Sequence, residues 1–422
     1  MPLNGDERGV GLMGYLLRNL SLLEPEVGTL QPGMEIRIDS GVIAEVGEHL
    51  APGGAEVVDC GGRVVMPGLI DSHVHVMLSA VSIPALEAVP LTLGTARAAA
   101  NMRAMLDRGF TTVRDTGGAD WGLKQAVDEG AIPGPRLFIA GQAIGPTGGH
   151  SDPRRRTDVF GRNCHCCNAM AFSMCVSDGV SEVRKAAREQ MRQGADQVKI
   201  MMSGGVASPY DPLDSLQFSE GEVAAAVEEA EAFGRYVCAH AYTPAAITRA
   251  AHAGVRTIEH GNLIDAASAR LMAEKGMLLI ANLVAYYAMK ERAADFGMSG
   301  EMLAKNELVI DGGLRSLEIC KQAGVPVAYG SDLLGQLQVD QSREFLLRRE
   351  VLSNLEIIRA ATTIGAQVVR MEGRLGTLRP GALADLLVLD GDPLQDLAVF
   401  QDQGAHIAAI MQGGRFHTCR LA

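Results

Sequence analysis

Aromatic residues make up only 4% of this chain, and there is a single tryptophan, Trp121. Glycine is abundant at 49 residues, and 47% of the chain is hydrophobic, enough for a sizeable core. That balance excludes a fibrous or disordered chain and suits a large α/β enzyme with many tight turns. No uninterrupted apolar run is long enough to cross a bilayer, so no membrane partner is expected. The opening stretch MPLNGDERGVGLM lacks a charged segment followed by an apolar one. It does not read as a secretory leader, and the expected compartment is the cytoplasm. No long basic block occurs; the densest is Arg154, Arg155 and Arg156, read as a solvated loop. With a net charge of -12, the chain is not expected to bind nucleic acid, whose phosphates need Lys and Arg.

The eight cysteines do not follow a paired C-x2-C pattern. Cys164, Cys166, Cys167 and Cys175 cluster beside His165, but C-x-C-C-x7-C is not the usual zinc spacing. Reduced thiols are the expected state.

With 422 residues, the chain has room for one large domain with appendages, or for two or three domains. The run GMEIRIDSGVIAEVG alternates apolar and polar residues around Asp-Ser-Gly, a hairpin signal. LADLLVLDGDP and HIAAIMQGGRFH near the other end have the same character. Both termini therefore read as parts of one small β domain, from residues 1–66 and 366–422. Between them, over 67–365, eight short apolar strands alternate with Ala-rich amphipathic helices. The strands are LIDSHVHV, TTVRDTG, RLFIAG, QVKIMMSGG, YVCAHAY, TIEHG, MLLIAN and VPVAYGSD. Eight such units predict a distorted α/β barrel of the (β/α)8 type with a β-sandwich built from both termini. A doubly wound open sheet is the alternative, but no Gly-x-Gly-x-x-Gly follows the first strand.

In such a barrel all strands end on one face, where active sites lie. Strand 1 ends on His73 and His75, two apart and so on the same side. Strand 3 leads to His150, strand 4 carries Lys199, strand 5 carries His240 and Tyr242, strand 6 ends on His260, and strand 8 on Asp332. Any one such histidine is more often a satisfied polar side chain than a ligand. Their convergence at the strand ends of a single barrel is hard to attribute to chance. Imidazoles with a carboxylate can hold a divalent metal and leave a position for water. Lys199, inside the apolar VKIM, would be costly as an isolated buried ammonium.

These motifs, PGLIDSHVH, QVKIMMSGG, CAHAY, TIEHG and YGSD in order, resemble the amidohydrolase superfamily over nearly the whole chain. The resemblance implies a binuclear centre of two divalent metal ions, with zinc the default for a His-rich site. It implies that His73 and His75 bind the more buried ion and that His240 and His260 bind the second. Asp332 would bind the first ion and accept a proton from the bridging water. Lys199 would be carboxylated by CO2 and bridge the pair.

PTGGHSDPR, KIMMSGGVASPYDPL, AHAYTPAAI and YGSDLLGQLQVDQSREF are similar to the branch of metal-dependent Xaa-Pro dipeptidases and N-acyl-amino-acid hydrolases, with imidazolonepropionases as more distant relatives. That likeness implies attack by a metal-bound hydroxide on the amide bond to the C-terminal residue of a dipeptide or N-acyl-L-amino acid. His150 would contact the oxyanion and Tyr242 the substrate α-carboxylate. The loop after strand 7 offers Tyr286, Tyr287 and Met289 to the substrate side chain. Its later acids, Glu291 and Asp295, read as a solvated lid. Proline is the favoured leaving residue. N-acyl-phenylalanine compounds such as ochratoxin A, or cyclic amides, are the alternatives. The expected partners are this small molecule and further copies of the same chain in a homo-oligomer.

Overall fold

The structure is a computed structural model that describes residues 14–421, apart from 82–84, 87, 151, 155, 157–172, 209, 297–299 and the side chains of 293–296. Cys164, His165, Cys166 and Cys167 lie outside the described residues, and so do the Arg155 position and the Asp295 side chain.

The expected hairpin forms. Leu30–Asp39 pairs antiparallel with Val42–Gly47 through Ser40 and Gly41. Both turn residues have positive φ, 50° and 82°, which matches the right-handed twist of the flanking strands. This hairpin continues through Tyr15–Leu23 to Val64–Pro67, which pairs antiparallel with Leu386–Leu389 from the far end of the chain. Ile407–Gln412 and Arg415–Cys419 complete the sheet on that side, and Glu56–Asp59 pairs with Tyr15–Leu23. One sheet thus joins both termini around a core that includes Leu17, Ile36, Val65, Leu386 and Met411.

The barrel strands run Leu69–Val74, Phe110–Asp115, Arg136–Ile139, Val198–Met201, Val237–Ala241, Thr257–His260, Leu278–Ala281 and Val327–Tyr329, numbered 1 to 8 below. Neighbouring strands are parallel. The wall is broken at strand 3. Arg136–Ile139 pairs with strand 2, whereas a separate piece, Ala143–Gly145, pairs with strand 4. Gly141 at φ 68° makes the break. Side chains cover it: Asp196 accepts from Ile139 N at 2.9 Å, and Gln190 from Gln142 N at 2.9 Å. Alternation sorts the strands. Val198, Ile200, Val237, Ala239 and Ile258 pack outward against the helices, in one core with Val223, Ile247 and Ala269.

Strands 8 and 1 close the barrel through side chains as well as backbone. Asp332 N donates to His73 O at 2.9 Å. The buried Asp71 carboxylate accepts from Ser331 N at 3.1 Å, Ser331 Oγ at 2.6 Å, Gln341 Nε2 at 2.8 Å and its own strand's His73 N at 3.1 Å. The helix Thr363–Val368 packs beside strands 1 and 8 and runs across residue 365. We therefore propose that the barrel's C-terminal limit lies after this helix. No helix among the described residues is long and apolar enough to cross a membrane.

The C-terminal segment also touches the barrel closely. Gly404 has φ 82°, and a Cβ there would lie 2.1 Å from the carbonyl oxygen of Asp107. Gly404→Ala should destabilise the protein by about 1–3 kcal/mol from backbone strain alone, read as a lower thermal midpoint. An unchanged midpoint would show that this close approach does not exist in solution.

Candidate active site at the barrel mouth

The mouth is built from strand ends. His73 and His75 project together from strand 1, and Lys199 and Met201 from strand 4. His240 and Tyr242 come from the end of strand 5, and all six line one pocket with His150, His260, Tyr286 and Asp332. The ring centroids of His150 and His240 lie 4.3 Å apart, those of His240 and His260 4.5 Å, and those of His73 and His260 5.0 Å. His260 and Asp332 both adopt left-handed backbone, with φ of 76° and 52°. Such strain in non-glycine residues is concentrated at functional sites.

The kink at His260 has a consequence for its neighbour. Thr257 and Glu259 alternate into the barrel, and the left-handed turn brings His260 into the mouth as well. Glu259, fully buried, accepts from Arg114 Nη2 at 2.8 and 2.7 Å, from Thr257 Oγ1 at 2.8 Å and from His73 Nδ1–H at 2.7 Å. Burial alone would raise the Glu259 carboxyl, but Arg114 and His73 hold it below the usual carboxylate range. The donor at His73 Nδ1 leaves a lone pair on Nε2. That atom is buried without a hydrogen-bond partner, 3.3 Å from Asp332 Oδ1. His75 repeats the pattern: Nδ1–H donates to Gly117 O at 2.8 Å, and Nε2 faces Asp332 Oδ1 at 3.4 Å. Imidazole lone pairs directed at one carboxylate oxygen repel it unless a proton or a metal cation lies among them. Ligand atoms of His73, His260 and Asp332 fall within 4.8 Å of one another, a fit to a metal ion.

The charges support that fit. Burial raises the Asp332 carboxyl, but His73, His75 and His260 around it hold it well below its ordinary range. Burial, reinforced by neighbouring His150, His260 and Lys199, holds His240 well below the usual imidazole value, and burial does the same to His260. Burial also lowers the Lys199 ammonium, against the pull of Glu259.

Other expected residues sort unevenly. Tyr242 is buried, and its hydroxyl lies 2.8 Å from that of Tyr286, which is 2.9 Å from His260 Nδ1. Tyr286 and Met289 line the pocket with Leu78, Val81, Leu86, Val206 and Leu337. Tyr287 does not. It lies on the helix Val284–Phe296, where side chains at i and i+3 share a face and that at i+1 is turned away by about 100°. Its ring packs instead against the core between strands and helices. Glu291 faces the rim, where Arg343 Nη1 donates to it at 2.6 Å. Glu259 and Arg114 were missed by strand-end reasoning, because alternation alone would set Glu259 opposite His260. The available signal was a charge inside each of the apolar strands TIEH and FTTVRD, the same signal that marks Lys199.

Imidazoles, an acid and a lysine gathered at the C-terminal mouth of a barrel fit the site of a hydrolase. The chain belongs to the amidohydrolase family, which its residues 64–415 match. Ochratoxinase from Aspergillus niger is 33% identical over 363 residues, spanning 83% of this chain and 75% of that protein. Its crystal structure superposes with a TM-score of 0.84, at 28% identity over 97% of this chain and 96% of its own. A prolidase complexed with N-methylphosphonate-L-proline is 47% identical, covers 96% of this chain and 100% of its own, and has a TM-score of 0.94. A Xaa-Pro dipeptidase with bound methionine in its active site has a TM-score of 0.84 at 26% identity, covering 96% of this chain and 100% of its own.

Two outcomes follow from the buried charges. Glu259→Gln leaves the Arg114 guanidinium without its counter-charge and should cost about 3–5 kcal/mol in denaturant unfolding; a loss below 1 kcal/mol would mean that solvent reaches the pair. The second concerns pH in chelator-treated protein. Unfolded imidazoles take up protons near about 6.5, whereas folded His240 and His260 do so only well below that value. Between those limits the unfolded chain binds more protons, so the stability these two residues contribute is lost as pH falls from 7 towards 5. The thermal midpoint should fall over that range, and less steeply in a His240→Asn, His260→Asn variant. Equal slopes would refute the assignment.

Proposed function

We propose that this enzyme hydrolyses the amide bond to the C-terminal residue of dipeptides or N-acyl-L-amino acids, with proline the favoured leaving residue. The observation that carries this reading is the pocket itself. Tyr242 and His150 stand beside the histidine and aspartate cluster, and apolar side chains form the wall opposite. The prolidase similar along its whole length was captured with a phosphonate on proline. A phosphonate is tetrahedral, as an amide carbon becomes during hydrolysis.

In this reading His73, His75 and Asp332 hold one divalent ion and His240 and His260 a second, with zinc the favoured metal. When bound, such ions lower the pKa of water to near neutrality and polarise a carbonyl. The depressed Lys199 amine suits its proposed carboxylation, because only a neutral amine attacks CO2. Carboxylation, with loss of one N–H proton to solvent, would turn the side chain into an anion able to serve as a metal ligand. Asp332 takes a proton from the attacking water and passes it to the leaving nitrogen. His150 donates to the carbonyl oxygen as charge grows there, a contact worth about 2.7–4 kcal/mol in comparable sites. The Tyr242 hydroxyl binds the α-carboxylate of the leaving residue. Tyr286 orients Tyr242, and Met289 contributes to the apolar wall for the side chain. The enzyme works on a small molecule, as a cytoplasmic homo-oligomer.

A second reading has its own support. The same apolar wall suits an aromatic residue, and ochratoxinase is a relative over most of the chain. Hydrolysis of N-acyl-L-phenylalanine compounds such as ochratoxin A is therefore the alternative.

The test is release of free amino acid from N-acetyl-L-amino acids, Gly-L-Xaa dipeptides and ochratoxin A by zinc-loaded enzyme. A His73→Asn, His75→Asn variant serves as control. Release of L-proline above all others, abolished in the control and by chelation, is expected; preferred release of phenylalanine would establish the second reading. Tyr242→Phe should raise KM about 10–100-fold, the worth of one hydrogen bond to a charged group, with a smaller change in kcat. No release from any member of the panel would end the proposal for Tyr242.

A further inference from the structure

The segment after strand 4 is tethered at several points by buried side chains. Lys305 lies in the helix Gly300–Ala323 and is only 6% exposed. Its ammonium donates to the carbonyl oxygens of Ser208 at 3.0 Å and Asp211 at 2.7 Å. A buried ammonium needs such acceptors. Two loop carbonyls are thereby fixed by the helix that connects strands 7 and 8. The Asp211 carboxylate, itself buried, accepts from Gly205 N at 3.1 Å, from Gln217 Nε2 at 3.1 Å and from the Ser208 hydroxyl.

Ser208 Oγ also lies 3.0 Å from His150 Nδ1. The Ser208 hydroxyl thus stands between the His150 imidazole and the Asp211 carboxylate and holds Nδ1 in place. Gln217 secures the same residue from its backbone, accepting from His150 N at 3.0 Å. The imidazole is stacked on His240 and lies against Gly205, where a Cβ would come within 1.9 Å of its Cε1. No described group bonds Nε2, so that nitrogen is the one left for substrate.

We infer that Ser208 and Asp211, pinned by Lys305, are positioning residues that fix the orientation of His150. This rests on the reading that His150 meets the reacting carbonyl. Neither residue touches the substrate in this account. Both act through His150, so their loss should lower kcat more than it raises KM.

The experiment is a double-mutant cycle on the best substrate of the panel, with metal content and thermal midpoint measured for each variant. Ser208→Ala and Asp211→Asn should each lower kcat about 10–100-fold, the usual effect of removing an orienting partner. Neither should lower it further in a His150→Ala background, since residues acting as one unit are not additive. Ser208→Thr, which keeps the hydroxyl, should restore most of the loss. If Asp211→Asn fails to fold, the serine variants carry the test alone. If His150→Ala leaves kcat unchanged, the reading of His150 fails and the inference with it. If His150→Ala is impaired but the loop substitutions add fully to it, or raise KM as much as they lower kcat, the inference alone is overturned.

Discussion

The mouth depends on one buried carboxylate. Glu259 sits between the Arg114 guanidinium and the His73 imidazole, with Thr257 as a third partner. A lone acid at that depth would be neutral, and a lone arginine would not be tolerated. Together, with each guanidinium nitrogen hydrogen-bonded, they form a charged base for the site that cannot relax without breaking several short bonds. Its chemical effect is local: the acid claims the His73 Nδ1 proton, so the lone pair on Nε2 is directed towards Asp332. Arg114 also donates to Ser72 O at 2.6 Å, so the same ion pair holds the backbone of strand 1 between the two histidines' approach and strand 2. Removing one partner of such a pair is far more damaging than its net worth suggests, because the other is left buried and charged.

Most of the barrel was legible because it follows from period and cost. Eight apolar runs of alternating face can be read directly. His73 and His75, or His240 and Tyr242, share a side because they are two apart. Lys199 was visible as a charge that an apolar strand has no reason to carry. What escaped the sequence departs from those periods. His260 breaks alternation with a left-handed backbone, so Glu259 and His260 both face inward although they are adjacent. Tyr286 and Tyr287 read as a pair, but on a helix adjacent residues diverge, and only Tyr286 reaches the pocket. Strand 3 read as one run, RLFIAG, yet Gly141 divides it, with the pairing moving to the next strand beyond the break.

Loop contacts were the least legible of all. SGGVASPYD is rich in turn residues, and nothing in its pattern tells which hydroxyl meets which carboxylate. Lys305 follows it by almost a hundred positions, on a helix whose periodicity marks an apolar face rather than a buried ammonium. Such partners come together only through the fold, since they depend on where two loops and one helix happen to approach. The ligand set, by contrast, is carried on strand ends whose position the barrel dictates.

The two-terminus sheet bears on the site through a chain of polar contacts. Asp71 joins strand 1 to strand 8 next to both His73 and Asp332, accepting from Gln341 as well as from Ser331. Gln341 Oε1 in turn accepts from the buried Arg108 at 3.0 and 2.8 Å. Arg108 then donates to Gln403 Oε1 at 2.9 Å, in the C-terminal segment beside Gly404. Burial lowers the Arg108 guanidinium to about 10, which still leaves it charged at neutral pH. A cation so placed requires these amide acceptors, and they are supplied from the strand 8 loop on one side and the C-terminal segment on the other. The spacing of His73 and Asp332 is therefore set partly by residues the barrel does not contain. This gives a physical reason for the C-terminal segment to return to the barrel: it supports the seam between strands 8 and 1, which no ladder among the described strands joins.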